Sequence, residues 1–320
     1  MVRAHHLHAK EAVFDGRHEG GLCGLTFELS GRQRQDARPG LATIEYSLFR
    51  VKMVRPHQSS FLHEDLPPRD IFLRAVLQKP SGELRKGFEW HIGNIQQFSD
   101  YTGYFAAGRT TLSTIEKFNS ESGDFIEEEL EESPYTHCVF DARIGFVGIA
   151  KKPNLSQTTK GIANRIEQLL SLAEIVRNNN ILVEIRPIPD PEGFLSSLDS
   201  AFKVFSFSAT FRGPNPFDAD EHFQKPLSVY LSAADGQKGK TTISGEDLDR
   251  TVLREVTRST AATGNEASAR IQKAKRHKPM TINLKGDPIK LKYDEEEHRP
   301  EVVLADLTTQ YSRVRRREDN

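Results

Sequence analysis

The stretch CVFDARIGFVGIAKK (138–152), with TTKGIANRIEQLLSLAEIV (158–176), ILVEIRPIP (181–189), PEGFLSSLDSA (191–201) and FKVFSFSATF (202–211) after it, decides the fold. The first segment reads as two strand-like runs bent at Asp141 and Gly145. The second sets Ile162, Ile166, Leu169, Leu170 and Ala173 on one helical face. Thr158 or Thr159 serves as its N-cap, and Asn178-Asn179-Asn180 ends it. The third is a strand stopped by prolines and the fourth a short helix. The fifth alternates Phe202, Val204, Phe205, Phe207, Ala209 and Phe211 as a strand does. The order β-β-α-β-α-β predicts an α+β fold: antiparallel sheets with helices on one face, and ferredoxin-like β-α-β elements in the middle of the chain.

Upstream, IEYSLFRVKMV (44–54) and KGFEWHIGNIQQ (86–97) alternate as strands, and DIFLRAVLQ (70–78) fits a short helix after Pro67-Pro68. FIEEELEESP (125–134) follows the turn Ser122-Gly123-Asp124 and holds five glutamates, a solvated acidic face or a mimic of a phosphate backbone. Downstream, PLSVYLSA (226–233) and KTTISG (240–245) flank DGQKG and predict a hairpin. GEDLDRTVLREVTRST (245–260) and EVVLADLTTQYSRV (301–314) read as helices, and 266–293 holds two or three strands. Residues 1–41, rich in Arg, His and Gly, carry no sustained hydrophobic period. They read as a disordered extension, or as a segment upstream of the natural start. The rest divides into a β-rich domain at 42–136 and an α+β domain at 137–320.

Across 320 residues the net charge is −1, so no global basic field advertises a nucleic-acid binder and any such role must come from local patches. Cys23 and Cys138 are the only cysteines, too few for a zinc knuckle or a disulfide framework and suited to a reducing compartment. No apolar run approaches the roughly 18 residues of a membrane span, and no secretory leader is legible at the N-terminus. The expectation is a cytoplasmic protein without a cofactor.

Most chemical motifs fail on spacing. Gly239-Lys240-Thr241 resembles the close of a phosphate loop, but Ala234 stands where that loop needs glycine, and a strand-like segment follows in place of a helix. His5, His6 and His8 lack a carboxylate or thiolate at fixed spacing. His137, Cys138 and Asp141 sit on a strand, where adjacent side chains face apart, so they make neither a metal site nor a thiol–base pair. No Gly-x-Ser-x-Gly elbow occurs. Asp141 and Glu184, with Arg186 on the face of Glu184, are the nearest approach to a metal-assisted hydrolase.

The basic run is the strongest signal. Arg270, Lys273, Lys275, Arg276, Lys278, Lys285, Lys290 and Lys292 fall in one stretch whose single acid is Asp287. Such a local excess attracts phosphates. Lys151, Lys152, Lys160 and Arg165 form a second group, and the Arg313–Arg317 tail a third. The aromatic ribonucleoprotein motif of RNA-recognition modules is absent, so base stacking lacks its residues.

Three stretches stand out together: 101–156, which includes YTGYFAAGRT and ESPYTHCVFDARIGFVGIAKKPNLS; the helix and ILVEIRPIPD strand after it; and FSATFRGPNPFDAD (207–220). In these the chain resembles uncharacterised bacterial families encoded in mobile-element and anti-phage defence loci. Their "RPNP" strand end is here Arg212-Gly213-Pro214-Asn215-Pro216, with one residue inserted. The resemblance implies a setting, defence against mobile DNA, and supplies no catalytic residues. The resulting expectation is a non-catalytic, nucleic-acid-contacting component acting with a partner defence protein or as a homo-oligomer. Arg270, Lys273, Lys275, Arg276 and Lys278 would meet phosphates, with Lys151 and Lys152 as a second patch. The alternatives are a metal-dependent nuclease or hydrolase toxin built on Asp141 and Glu184, and a protein–protein adaptor whose charges pair across an interface. DNA and RNA stay equally open.

Overall fold

Alternation along IEYSLFRVKMV sends Phe49, Val51 and Met53 to one face and Tyr46 and Leu48 to the other. A strand apolar on both faces belongs in the middle of a layered structure, and that is where it lies. A computed structural model describes residues 43–55, 66–212, 223–234, 236, 238–294 and 298–315, all within the unit Leu41–Asn320. The elements run β1 (Thr43–Val54), α1 (Pro68–Leu77), β2 (Ser81–Arg85), β3 (Phe88–Gln97), β4 (Thr102–Asn119), β5 (Asp124–Glu132) and β6 (Tyr135–Asp141). Next come β7 (Phe146–Ala150), α2 (Thr159–Leu172), α3 (Glu174–Asn178), β8 (Leu182–Pro187), α4 (Glu192–Asp199), β9 (Lys203–Arg212) and α5 (Gln224–Ala233). The chain then forms β10 (Lys238–Ser244), α6 (Arg250–Ala262), β11 (Ala267–Gln272), β12 (Met280–Asn283), β13 (Lys290–Asp294) and α7 (Pro300–Arg315).

The fold is α+β with two antiparallel sheets. The larger has nine strands in the order β13-β1-β7-β6-β4-β3-β2, with β8 also paired to β1 and β5 to β4. The smaller runs β10-β9-β11-β12. Phe49, Val51 and Met53 pack with Phe72 of α1, Ile162, Ile166 and Leu170 of α2 and Val176 of α3. On the opposite face Tyr46, Leu48 and Phe146 meet Leu307 and Tyr311 of α7, Leu253 and Ala261 of α6, and the inward residues of β9 and β11. Thr158 caps α2 as expected, accepting from the Gly161 N–H, and the helix breaks at Ala173 before α3. Among the described residues, no helix is long and apolar enough to cross a membrane.

Two expectations change. The β-β-α-β-α-β run does not close one ferredoxin-like unit: β6, β7 and β8 join the large sheet, and β9 opens the small one. Partner choice between sheets depends on non-local pairing, which alternation within a strand does not encode. Strand pairing runs across 136/137, since β4 pairs with β6 and β1 pairs with β7, β8 and β13. Finally, 226–233 lies in the helix α5, not in a hairpin strand. There Leu231 is buried while Val229 and Tyr230 are exposed. Leu227 and Leu231, four apart, share a helical face. β10 pairs instead with β9. Residues 1–41, His5, His6 and His8 among them, lie outside the described part of the chain.

The packing of α7 on the large sheet rests on a missing side chain. A Cβ on Gly148 of β7 would come within 2.2 Å of Leu307 Cδ1. Gly148→Ala should therefore cost about 1–3 kcal/mol by overpacking, and less than that when Leu307→Ala is already present. Denaturant unfolding of the two single variants and the double variant measures this coupling; additive losses would place α7 elsewhere.

Candidate functional site

The small sheet turns one face to the core and the other outward. Phe207 and Ala209 of β9 and Ala267, Ala269 and Ile271 of β11 are buried. The alternating residues between them therefore form the outer surface. Register sets Thr242, Ser208, Ser268 and Asn283 side by side across the four strands. A second row holds Ser244, Ser206, Arg270 and Thr281, and Lys240 lies beside Thr210 in a third. The surface is lined by short hydroxyls and an amide, with Ser208 and Thr242 bonded at 2.8 Å. Among the described residues it carries groups that bond phosphate oxygens and no aromatic platform for stacked bases.

At one end of this surface the turn between β11 and β12 spans 273–279. Gln272 shapes it from within, its Nε2 donating to the carbonyls of Lys275 (3.0 Å) and His277 (2.8 Å). The His277 N–H also donates to the Ala274 carbonyl at 2.8 Å. Lys273, Lys275, Arg276 and Lys278 are exposed on it, and Arg270 is exposed on β11. Five of the predicted cations thus share one hairpin. Among the described residues none of the five has a salt-bridge partner, whereas Lys238, at the opposite end of the small sheet, approaches Glu266 at 4.0 Å.

Lys151 and Lys152 belong elsewhere, exposed just past β7 in the large sheet. The Lys151 N–H donates to the Glu45 carbonyl, and Glu45 faces Lys292 across β13 while pairing with Lys290 at 3.2 Å. The run read as one patch therefore splits, with Lys290 and Lys292 joining Lys151 around Glu45. Arg165 turns to the Leu84 carbonyl and Gln168. Arg313 and Arg315 lie in the last turn of α7, and 316–317 fall outside the described residues.

The catalytic candidates take structural positions. Asp141 is buried; its Oδ1 accepts from the backbone N–H groups of Arg143 (2.9 Å) and Ile144 (3.3 Å), and its Oδ2 meets Arg143 Nη2 at 2.8 Å. This carboxylate closes the β6–β7 turn. Cys138 is enclosed in the first core, where burial pushes its thiol pKa upward and suppresses the thiolate. His137 faces the other way and bonds Tyr104 at 2.8 Å. Among the described residues, no three His, Cys, Asp or Glu side chains are grouped to hold a metal ion.

One charged cluster escaped the sequence reading. Arg50 and Lys52 continue the Tyr46–Leu48 face of β1 and are buried, at 0% and 2% exposure. Lys52 lies opposite Glu184 on β8. Arg50 Nη1 donates to the Tyr311 hydroxyl at 3.0 Å. Lys52 Nζ reaches Asn265 Oδ1 at 3.4 Å. Glu184 Oε1 accepts from Arg212 Nη1 at 2.7 Å, tying β8 to β9, and its Oε2 is buried without a hydrogen bond. Desolvation first, then the charge of Arg50, pushes the Lys52 pKa down to about 7, with Glu184 opposing.

No protein-family model and no curated protein matches the chain.

Lys52 makes a prediction with a definite sign. Its pKa falls from 10.5 to about 7 on folding, so below pH 7 the buried ammonium imposes its full cost. Between about 7 and 10.5 folding releases a proton, and stability rises by up to ~1 kcal/mol per pH unit from this group. Lys52→Met should raise stability near pH 7 and flatten that rise. Urea unfolding at several pH values tests it; an unchanged slope in the variant would mean that Lys52 stays protonated through this range.

Proposed function

We propose that this protein contacts nucleic acid without cleaving it, gripping the phosphate backbone with the outer surface of the small sheet and the β11–β12 turn. The observation that carries this reading is the gathering of Arg270, Lys273, Lys275, Arg276 and Lys278 on one hairpin. They stand beside rows of hydroxyls and have no acidic partner among the described residues. Cations already paired to carboxylates would have to break those pairs before meeting phosphate; these do not. Hydroxyls in place of aromatics favour backbone contact over base stacking, hence weak dependence on sequence. The setting, a bacterial anti-phage defence system, comes from the family resemblance alone. Lys151 and Lys152 act as a secondary patch, offset by Glu45 between them and β13.

The test is fluorescence anisotropy with single- and double-stranded DNA and RNA at about 50 and 200 mM salt, magnesium being present. The wild-type chain should bind in a salt-sensitive way and leave the probe intact. Replacing Lys273, Lys275, Arg276 and Lys278 with glutamate should weaken binding to every sequence alike and lower the salt slope by ~0.9 for each duplex phosphate no longer neutralised. Lys151→Glu with Lys152→Glu should have the smaller effect. Unchanged binding by the fourfold variant would remove the hairpin from the interface, and a cleaved probe would favour the hydrolase reading.

A further inference from the structure

A second β-ribbon carries the opposite charge. Past Thr110, β4 pairs with β5 alone, from Thr111↔Glu132 to Asn119↔Asp124, so a two-stranded arm leaves the large sheet. Residues directly opposite in an antiparallel pair share a face. One face of the arm therefore holds Leu112 with Glu131, Thr114 with Glu129, Glu116 with Glu127, and Phe118 with Phe125. It has four carboxylates and no cation. Lys117, the one lysine of the arm, belongs to the other face, where it pairs with Glu128 at 3.3 Å.

This face is exposed and locally strained in charge. Phe125 is 81% accessible, Leu112 66% and Phe118 53%, although the two phenylalanine rings pack edge-on at 5.3 Å. Glu116 and Glu127 stand directly opposite one another, an arrangement that destabilises a ribbon. Two-stranded ribbons are marginal on their own, so this one discards stability unless a cationic surface covers it. The chain has such a surface in the β11–β12 turn, with five cations and no acid between Arg270 and Lys278.

We infer that the acidic face of the β4–β5 arm docks against the basic β11–β12 hairpin of a second copy of this chain. Glu127, Glu129 and Glu131 meet Lys273, Lys275, Arg276 and Lys278, and Phe118 and Phe125 cover apolar surface beside them. Made in both directions, the contact closes a two-fold pair; made in one direction, it grows a chain. Both this contact and the proposed nucleic-acid grip use the same hairpin, so the arm is a competitor for the phosphates, but the inference does not depend on nucleic-acid binding.

Sedimentation velocity of the full chain at low and high salt tests the contact through charge reversal. The wild-type chain should associate at low salt and dissociate at high salt. Glu127→Lys with Glu129→Lys should be monomeric, as should Lys275→Glu with Arg276→Glu, because the first cancels the net charge of the acidic face and the second nearly cancels that of the hairpin. Their equimolar mixture should associate again, since the unaltered arm of one variant then meets the unaltered hairpin of the other. Glu127→Lys removes the like-charge pair with Glu116, so the arm variant should remain folded, which circular dichroism checks. A wild-type chain that stays monomeric at low salt, variants that still self-associate, or a mixture that stays monomeric would overturn the inference. If the wild-type chain binds no nucleic acid but the charge-reversal pattern holds, the proposed function falls and this contact stands.

Discussion

The structure depends on one strand being covered on both sides. β1 pairs with β7 along one edge and with β13 and then β8 along the other, so it joins segments from nearly the whole described chain. Helices α1–α3 seal one face; α6, α7 and the small sheet seal the other. A strand in that position buries polar side chains, and Ser47, Arg50 and Lys52 each find a partner, while the buried Tyr46 hydroxyl has no hydrogen bond among the described residues. The Ser47 hydroxyl accepts from Thr159 at 3.0 Å, Arg50 meets Tyr311, and Lys52 meets Asn265. Close approach around Arg50 also explains Gly264, whose φ of +65° is a conformation side chains avoid and whose Cβ would crowd those of Arg186 at 3.1 Å and Arg50 at 3.4 Å.

Much of this was legible in the residues. Strand alternation at 44–54, 86–97 and 202–211 and the helical period at 158–176 reflect burial against a core, which local sequence records. The sheet each strand joins is decided by partners far away in the chain, and so β9 gave no local sign of leaving β6, β7 and β8. Short apolar segments are equally ambiguous, as the Leu227–Leu231 spacing inside PLSVYLSA illustrates.

The site was half legible for the same reason. A run of lysines and arginines announces itself, and 270–278 did form one hairpin. The hydroxyl rows did not, because Thr242, Ser208 and Ser268 come from three segments that only the sheet aligns. Arg50 and Lys52 looked like the polar half of an amphipathic strand. The contrary signal was Tyr46 and Leu48 on their own face, which, with Phe49, Val51 and Met53 on the other, leaves neither face free for water. A net charge of −1 concealed the largest feature, the sorting of charge onto two hairpins, one acidic and one basic.

The central claim is that the basic hairpin is where the chain meets nucleic acid. The most direct measurement is hydrogen–deuterium exchange of the full chain with and without short DNA and RNA probes. The account predicts added protection confined to the β11–β12 turn and the adjoining strands of the small sheet, with the β6–β7 turn at Asp141 unchanged. Protection centred instead on Asp141 and Glu184, or none with any probe, would contradict it.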